Sequence, residues 1–386
     1  MNFEQPFIQK IDKEEKIEKE REILPLPEYA YNAQTALESF LKLKPEEKIL
    51  LLKDKETNKE TLAIFERAIE NIGSLYKEVA LDSKTKKREI EDLLKSVQAV
   101  IDLSIKSCKA TRDIYEDIEK FGNRLLSCLD LEPEAFKNGG PMTERVEDLE
   151  YRLNKLEAIL KEAAGFKITS VYGTNLELGL RPFKERRWYK DTGVIEKPGQ
   201  WDNFPGGEIF TTPDERNVNG ILVLPAVDSE IVKEQGVDEL VWIKIKNGRI
   251  TSIQGGKSAE KLRKKLDEAA LKEYKEQEDP LNVYQCAELG FGANSKARSR
   301  VADPEQPYNF SGVSTVEAEK RLGTIHIAFG DTKHGEEGAE GFIEAGVHYD
   351  FVIPRNGLTV EMFENEEDFE KKKNGRRIIS DGGLLF

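Results

Sequence analysis

From Tyr29 to Ala164, short apolar runs alternate with segments of helical spacing. Tyr29–Leu43 reads as a helix, Lys48–Asp54 as a buried strand, Lys59–Ile72 as a helix and Ser74–Leu81 as a second strand. Lys86–Leu94 is again helical, Gln98–Ser104 and Leu125–Leu129 are strand-like, and a long amphipathic helix covers about residues 143–164. Strands separated by helical crossovers pair in parallel, with the helices laid on the faces of the sheet. The spacing therefore predicts an α/β, Rossmann-like N-terminal domain with a parallel sheet over residues 1–166. It begins with a strongly charged helix or loosely held segment at Lys10–Arg21. No GxGxxG follows the first strand, so nothing there points to a dinucleotide.

Beyond about Lys167 the rhythm changes. Lys167–Tyr172, Asn175–Gly179, Gly220–Leu224 and Asp238–Lys246 are short strand-like runs divided by Gly, Pro, Asn and Asp. Lys246-Asn247-Gly248 is a hairpin signal, because Asn-Gly accepts the positive φ angles of a tight two-residue turn. One helix, about 258–277, interrupts the strands. Residues 167–386 are expected to form an α+β domain with a mixed or antiparallel sheet, and this domain carries the chemistry.

Lys and Arg number 59 against 73 Asp and Glu, a net charge of −14. Phosphate-rich surfaces repel such a chain, so neither nucleic acid nor an anionic membrane is expected as a partner. Cys108, Cys128 and Cys286 are too few and too scattered for a disulfide framework or a thiolate metal site. The first residues lack the apolar core of a signal peptide, and the longest apolar runs are too short to span a bilayer. A cytoplasmic location is the expectation.

The three histidines, His326, His334 and His348, fall within 22 residues of one another. His348-Tyr349-Asp350 sits in an apolar run, and side chains on a strand alternate, so His348 and Asp350 share a face. An imidazole beside a carboxylate is half of a site for zinc, manganese, cobalt or ferrous iron. His326, in GTIHIAFG, can supply another ligand. A lone histidine in such a run is as often a core side chain as a ligand; an HxD pair with a second histidine close by is less readily explained that way. Glu208 follows a Pro-Gly-Gly turn in FPGGEIF, and Glu288 lies among small and apolar residues in CAELGFGAN. A carboxylate in such a setting is costly unless paired or coordinated. His334, in a Gly/Glu-rich loop, suits a lid role, a substrate-side role or plain exposure better than a ligand role.

GTNLELGL, PGGEIFTTP, AELGFGAN, GTIHIAFG and VHYDFV, in that order over about residues 170–353, resemble the aminopeptidase T/aminopeptidase II metallopeptidase family. The resemblance implies two divalent ions (zinc, cobalt or manganese) held by Glu208, Glu288, His326, His348 and Asp350. It also implies amino-terminal cleavage of short peptides, with Glu288 as ligand or general base, and a homodimer. The family's tyrosine, seven residues after its first histidine, is replaced here by Lys333, which with His334 is a candidate electrophile. Arg181–Trp201, rich in Arg and Trp, reads as a surface insertion or a substrate-facing loop. The same scaffold also resembles a ring-cleaving dihydroxypyridine dioxygenase, in which His326, His348 and Asp350 would suffice to hold one ferrous ion. A relative that keeps the fold without catalysis is a third reading.

Overall fold

A computed structural model describes residues 26–105, 114–225, 240–276, 279–301, 313–332 and 343–385. The charged segment Lys10–Arg21, Cys108, Lys333 and His334 lie outside the described residues. The chain divides into two units. One takes the described residues up to Asp148 together with Asp191–Gly206, and the other takes Leu149–Lys190 and Gly207–Phe386.

The first unit is the expected parallel α/β layer. Its strand order is Leu75–Ala80, Lys48–Lys53, Ala99–Asp102, Arg124–Ser127 and Trp201–Asn203, and every ladder is parallel. The central strands are continuous apolar runs because both faces are covered: Ile49–Leu52 and Ala99–Ile101 are fully buried. The Lys59–Ile72 helix starts where the Asn58 side chain accepts hydrogen bonds from the amides of Glu60 and Thr61. It stops at Gly73, whose φ of 82° an L side chain would resist. Its apolar stripe, Ile64, Phe65, Ala68, Ile69 and Ile72, is buried.

This division differs from a single cut at residue 166. Trp201–Asn203 returns to the first unit and pairs in parallel with Leu125–Ser127. A three-residue strand has no periodicity to read, so only the ladder reveals it. The Arg181–Trp201 stretch is accordingly no single loop: it contains the strand Tyr189–Asp191 and ends in this added one.

The second unit holds two antiparallel sheets. The larger runs Arg249–Gln254, Val241–Lys246, Val218–Leu224, Asn175–Gly179, Gly165–Thr169, Thr359–Phe363, Arg376–Ser380 and Gly383–Leu384. Asn247 and Gly248, at φ 51° and 75°, make the two-residue turn of its first hairpin. The smaller sheet runs His348–Ile353, Ile325–Gly330, Cys286–Gly292, Glu208–Thr211 and Tyr189–Asp191. One face is apolar and buried, with Ile209, Leu289, Phe291, Ile325, Ile327, Phe329, Phe351 and Ile353. Phe291 meets Phe166 of the larger sheet at a ring-centroid distance of 5.5 Å. Alternation sends the other residues of the same strands to the opposite face, where the polar cluster lies. Among the described residues no helix is long and apolar enough to cross a membrane.

Candidate metal centre

The register of the smaller sheet places all five expected ligands on one face. Glu208 pairs with Gly292, His326 with Gly290, and Ala328 lies between Glu288 on one side and Asp350 on the other. His348 pairs with Gly330. The residues between the polar groups are Gly or Ala, and at Gly290 the reason is steric. A Cβ there would fall 1.9 Å from Cε1 of His326. Gly290→Ala is therefore expected to displace the His326 ring and weaken divalent-ion binding by tenfold or more, with little change in secondary structure. Calorimetric titration with Zn(II) alongside circular dichroism checks both halves of that expectation.

Glu208 is held at its strand's start by the loop before it: the Gly207 carbonyl accepts from the Ala293 amide at 2.7 Å. His326 Nε2 lies 2.8 Å from Glu288 Oε1 and 3.1 Å from Glu208 Oε2. His348 Nε2 lies 3.7 Å from Glu288 Oε2 and 3.5 Å from Asp350 Oδ1. Its Nδ1 is 2.8 Å from the Asp331 carbonyl, an acceptor that fixes the proton on Nδ1 and presents Nε2 to the cluster. His326 is fully buried, while the His348 side chain is 30% exposed. Among the described residues the cluster thus opens at its His348 end.

Two further groups enter from the Thr315–Lys320 helix, and the sequence reading did not single them out. Glu319 joins His326 and Asp350 in one group of possible ligands. Lys320, with no exposed surface, bonds to Glu208 and lies 2.9 Å from Glu319 Oε1. The run TVEAEKR reads as an ordinary solvated helix, yet Glu317, Glu319, Lys320 and Arg321 are all buried. The one local signal is its position, immediately before the strand that carries His326.

Three sets of potential ligand atoms each lie within 4.8 Å of one another: Glu208/Glu288/His326, Glu288/His348/Asp350 and Glu319/His326/Asp350. Nδ1 of His326, Oε2 of Glu319 and Oδ1 of Asp350 are buried and make no hydrogen bond among the described residues. Lone-pair atoms left in this state, in a nest of imidazoles and carboxylates, fit a divalent cation. Lys333 and His334, the expected electrophiles, fall outside the described residues.

Without a cation, protons take its place. Burial disfavours a charged imidazole at His326, but Glu208, Glu288 and Glu319 outweigh it and push the group up to about 10. Desolvation is likewise outweighed at His348, where Asp350 and Glu288 raise the group well above its ordinary value. Asp350 is lowered: burial acts against its charge, and the His348 imidazolium overcomes this. Both imidazoles therefore hold their protons more tightly than a free imidazole in the metal-free site, and an incoming ion must displace those protons. Divalent-ion affinity is therefore expected to climb from pH 6 to pH 9, with protons released on binding. Calorimetry in buffers of different ionisation enthalpy measures the release; a pH-independent affinity contradicts it.

The NicX family, described as 2,5-dihydroxypyridine 5,6-dioxygenase, matches residues 33–321. That span includes Glu208, Glu288, Glu319 and Lys320 and stops short of His326. A 2,5-dihydroxypyridine 5,6-dioxygenase of Pseudomonas putida KT2440 is 30% identical over 183 residues. That alignment spans 47% of this chain and 47% of the relative, about half the length of each. Among solved structures, 2,5-dihydroxypyridine dioxygenase from Pseudomonas putida KT2440 superposes with a TM-score of 0.67 at 18% identity, covering 94% of this chain and 98% of that one. AmpT from Thermus thermophilus gives 0.62 at 15% identity over 93% and 99%. At these identities the superpositions establish the fold.

The aminopeptidase T resemblance thus holds for the scaffold, and the expected activity does not follow from it. The family match and the 30% identical relative both carry the dioxygenase description, so the expectation of a peptide-bond hydrolase, an aminopeptidase, is overturned. The physical source of that error is that a shared fold does not fix the chemistry of the site it carries. The chain belongs to the 2,5-dihydroxypyridine 5,6-dioxygenase family.

Proposed function

We propose that this protein is an iron-dependent ring-cleaving dioxygenase acting on a dihydroxylated nitrogen heteroaromatic such as 2,5-dihydroxypyridine. His326, His348 and Asp350 would hold a single ferrous ion. The observation that carries the reading is the joining of the family match to His326, His348 and Asp350 on the same face of neighbouring strands, Asp350 lying in one group of possible ligands with each imidazole. Two histidines and one carboxylate are the donor set that leaves room around ferrous iron for both substrate and oxygen. When bound, the ion supplies the one-electron chemistry that dioxygen needs to react with a closed-shell ring.

The protein's own groups do the rest. The Asp331 carbonyl orients the His348 ring. Glu288, 4% exposed, has one oxygen toward each imidazole. It is the base placed to take a proton from a ring hydroxyl, which makes the ring electron-rich as it binds. Glu288→Gln is therefore expected to lower kcat by about 10²–10⁴-fold while leaving bound iron in place. Single-turnover kinetics and iron content on the same sample test it; a variant that keeps full kcat removes Glu288 from this role.

The reading itself is tested by loading the protein anaerobically with Fe(II), adding 2,5-dihydroxypyridine and admitting oxygen. Equimolar oxygen uptake with loss of the ring absorbance is the expected result. A loaded protein that consumes no oxygen with this or related dihydroxylated pyridines overturns it.

A further inference from the structure

We propose that Lys320 is a built-in cation that limits this pocket to one divalent ion, its ammonium group taking the place between Glu208 and Glu319 that a second ion would occupy. The inference rests on the single-ion reading above. Lys320 is wholly buried, and its Nζ bonds to Glu208, 112 residues away in sequence, and to Glu319 Oε1 at 2.9 Å. An isolated buried ammonium is strongly unfavourable, so a lysine with no exposed surface needs a partner of opposite charge; here it has two.

The delivery is fixed by the backbone. Ser314 caps the Thr315–Lys320 helix by accepting from the Glu317 amide. Thr324 Oγ1 donates to the Arg321 carbonyl at 2.7 Å and lies 3.1 Å from the Glu319 carbonyl, which closes the turn into the His326 strand. The lysine is therefore held at its root and aimed at the carboxylates.

Glu208, Glu288 and His326 by themselves offer a second set of ligand atoms within 4.8 Å of one another. What opposes an ion there is charge. Glu208 bonds through Oε1 to the ammonium while Oε2 sits 3.1 Å from His326. Any ion on Oε2 would stand across one carboxylate from a buried positive charge, where little solvent screens the repulsion.

The test is metal stoichiometry, which does not depend on turnover. The full chain and its variants are loaded with Zn(II), and separately with Fe(II) under anaerobic conditions, desalted, and assayed for bound metal per chain. One ion is expected in the unmodified protein and in Lys320→Arg, which keeps the charge. Lys320→Met is expected to bind two, and Lys320→Met with Glu208→Gln to return to one. One ion in both the unmodified protein and Lys320→Met overturns the role of Lys320 and leaves the single-ion reading standing. Two ions in the unmodified protein overturn the single-ion reading and this inference with it. Lys320→Gln, neutral but still able to hydrogen-bond to Glu208 and Glu319, covers the case in which Lys320→Met does not fold. Two ions per chain in that variant support the inference, and one ion overturns it.

Discussion

His348→Ala and Asp350→Ala are each expected to leave the protein folded, without bound iron and without turnover. The two residues are neighbours on one face of the His348–Ile353 strand, with Nε2 of one 3.5 Å from Oδ1 of the other. A site with three protein ligands loses a third of its donors when either is removed. In Asp350→Ala it also loses the carboxylate charge that attracts a divalent ion. The loss should be local. His348 and Asp350 sit on the polar face of the strand, while Phe351 and Ile353, on the opposite face, supply its buried packing. Removing a partly exposed imidazole leaves that packing intact. Elemental analysis of anaerobically loaded protein, an oxygen-electrode assay and circular dichroism on one preparation give the three readings needed. Full iron content and full oxygen uptake in both variants would remove His348 and Asp350 from the metal centre.

Glu317→Ala is expected to destabilise the second unit by about 3–5 kcal/mol, the cost of breaking a buried ion pair from one side. Glu317 is 1% exposed and Arg298 4%. The Arg298 Nε and Nη2 atoms donate to the two carboxylate oxygens, each at 2.6 Å, and the Arg298 amide donates to Oε1 at 2.9 Å. Two parallel charge-assisted bonds out of water are strong because neither partner can turn to solvent instead. Truncation to alanine takes both oxygens from a guanidinium that stays buried. The damage reaches the metal centre, since the same short helix carries Glu319 and Lys320. Urea unfolding of the iron-free protein, followed by near-ultraviolet circular dichroism, measures the effect. A loss below about 1 kcal/mol would mean that this pair is no more than a surface salt bridge in its energetics.

Local order in the sequence was enough for much of the fold. The buried run at Ile49–Leu52, the helix ended by Gly73 and the Asn247-Gly248 turn are each fixed by a few neighbouring residues and their backbone preferences. The shared face of His348 and Asp350 was legible for the same reason, since a strand's period of two needs no tertiary information. Glu208 and Glu288 stood out because a carboxylate framed by glycine and apolar residues is expensive unless something compensates it.

Tertiary structure decided which charged residues leave water. Glu317, Glu319, Lys320 and Arg321 look like a solvated helix face in sequence, and four buried charged residues within five positions are found only by packing that helix over the sheet. It likewise decided that Trp201–Asn203 joins a parallel sheet begun more than 100 residues earlier. Activity was the least legible property. Strands bearing Glu208, Glu288, His326, His348 and Asp350 in this order fit a peptidase and a dioxygenase alike, because the motifs specify ligand types and their order along the chain. The sequence by itself determined which side chains share a face, since that follows from local backbone geometry; burial and charge balance were left to the folded chain, since desolvation is set by contacts distant in sequence.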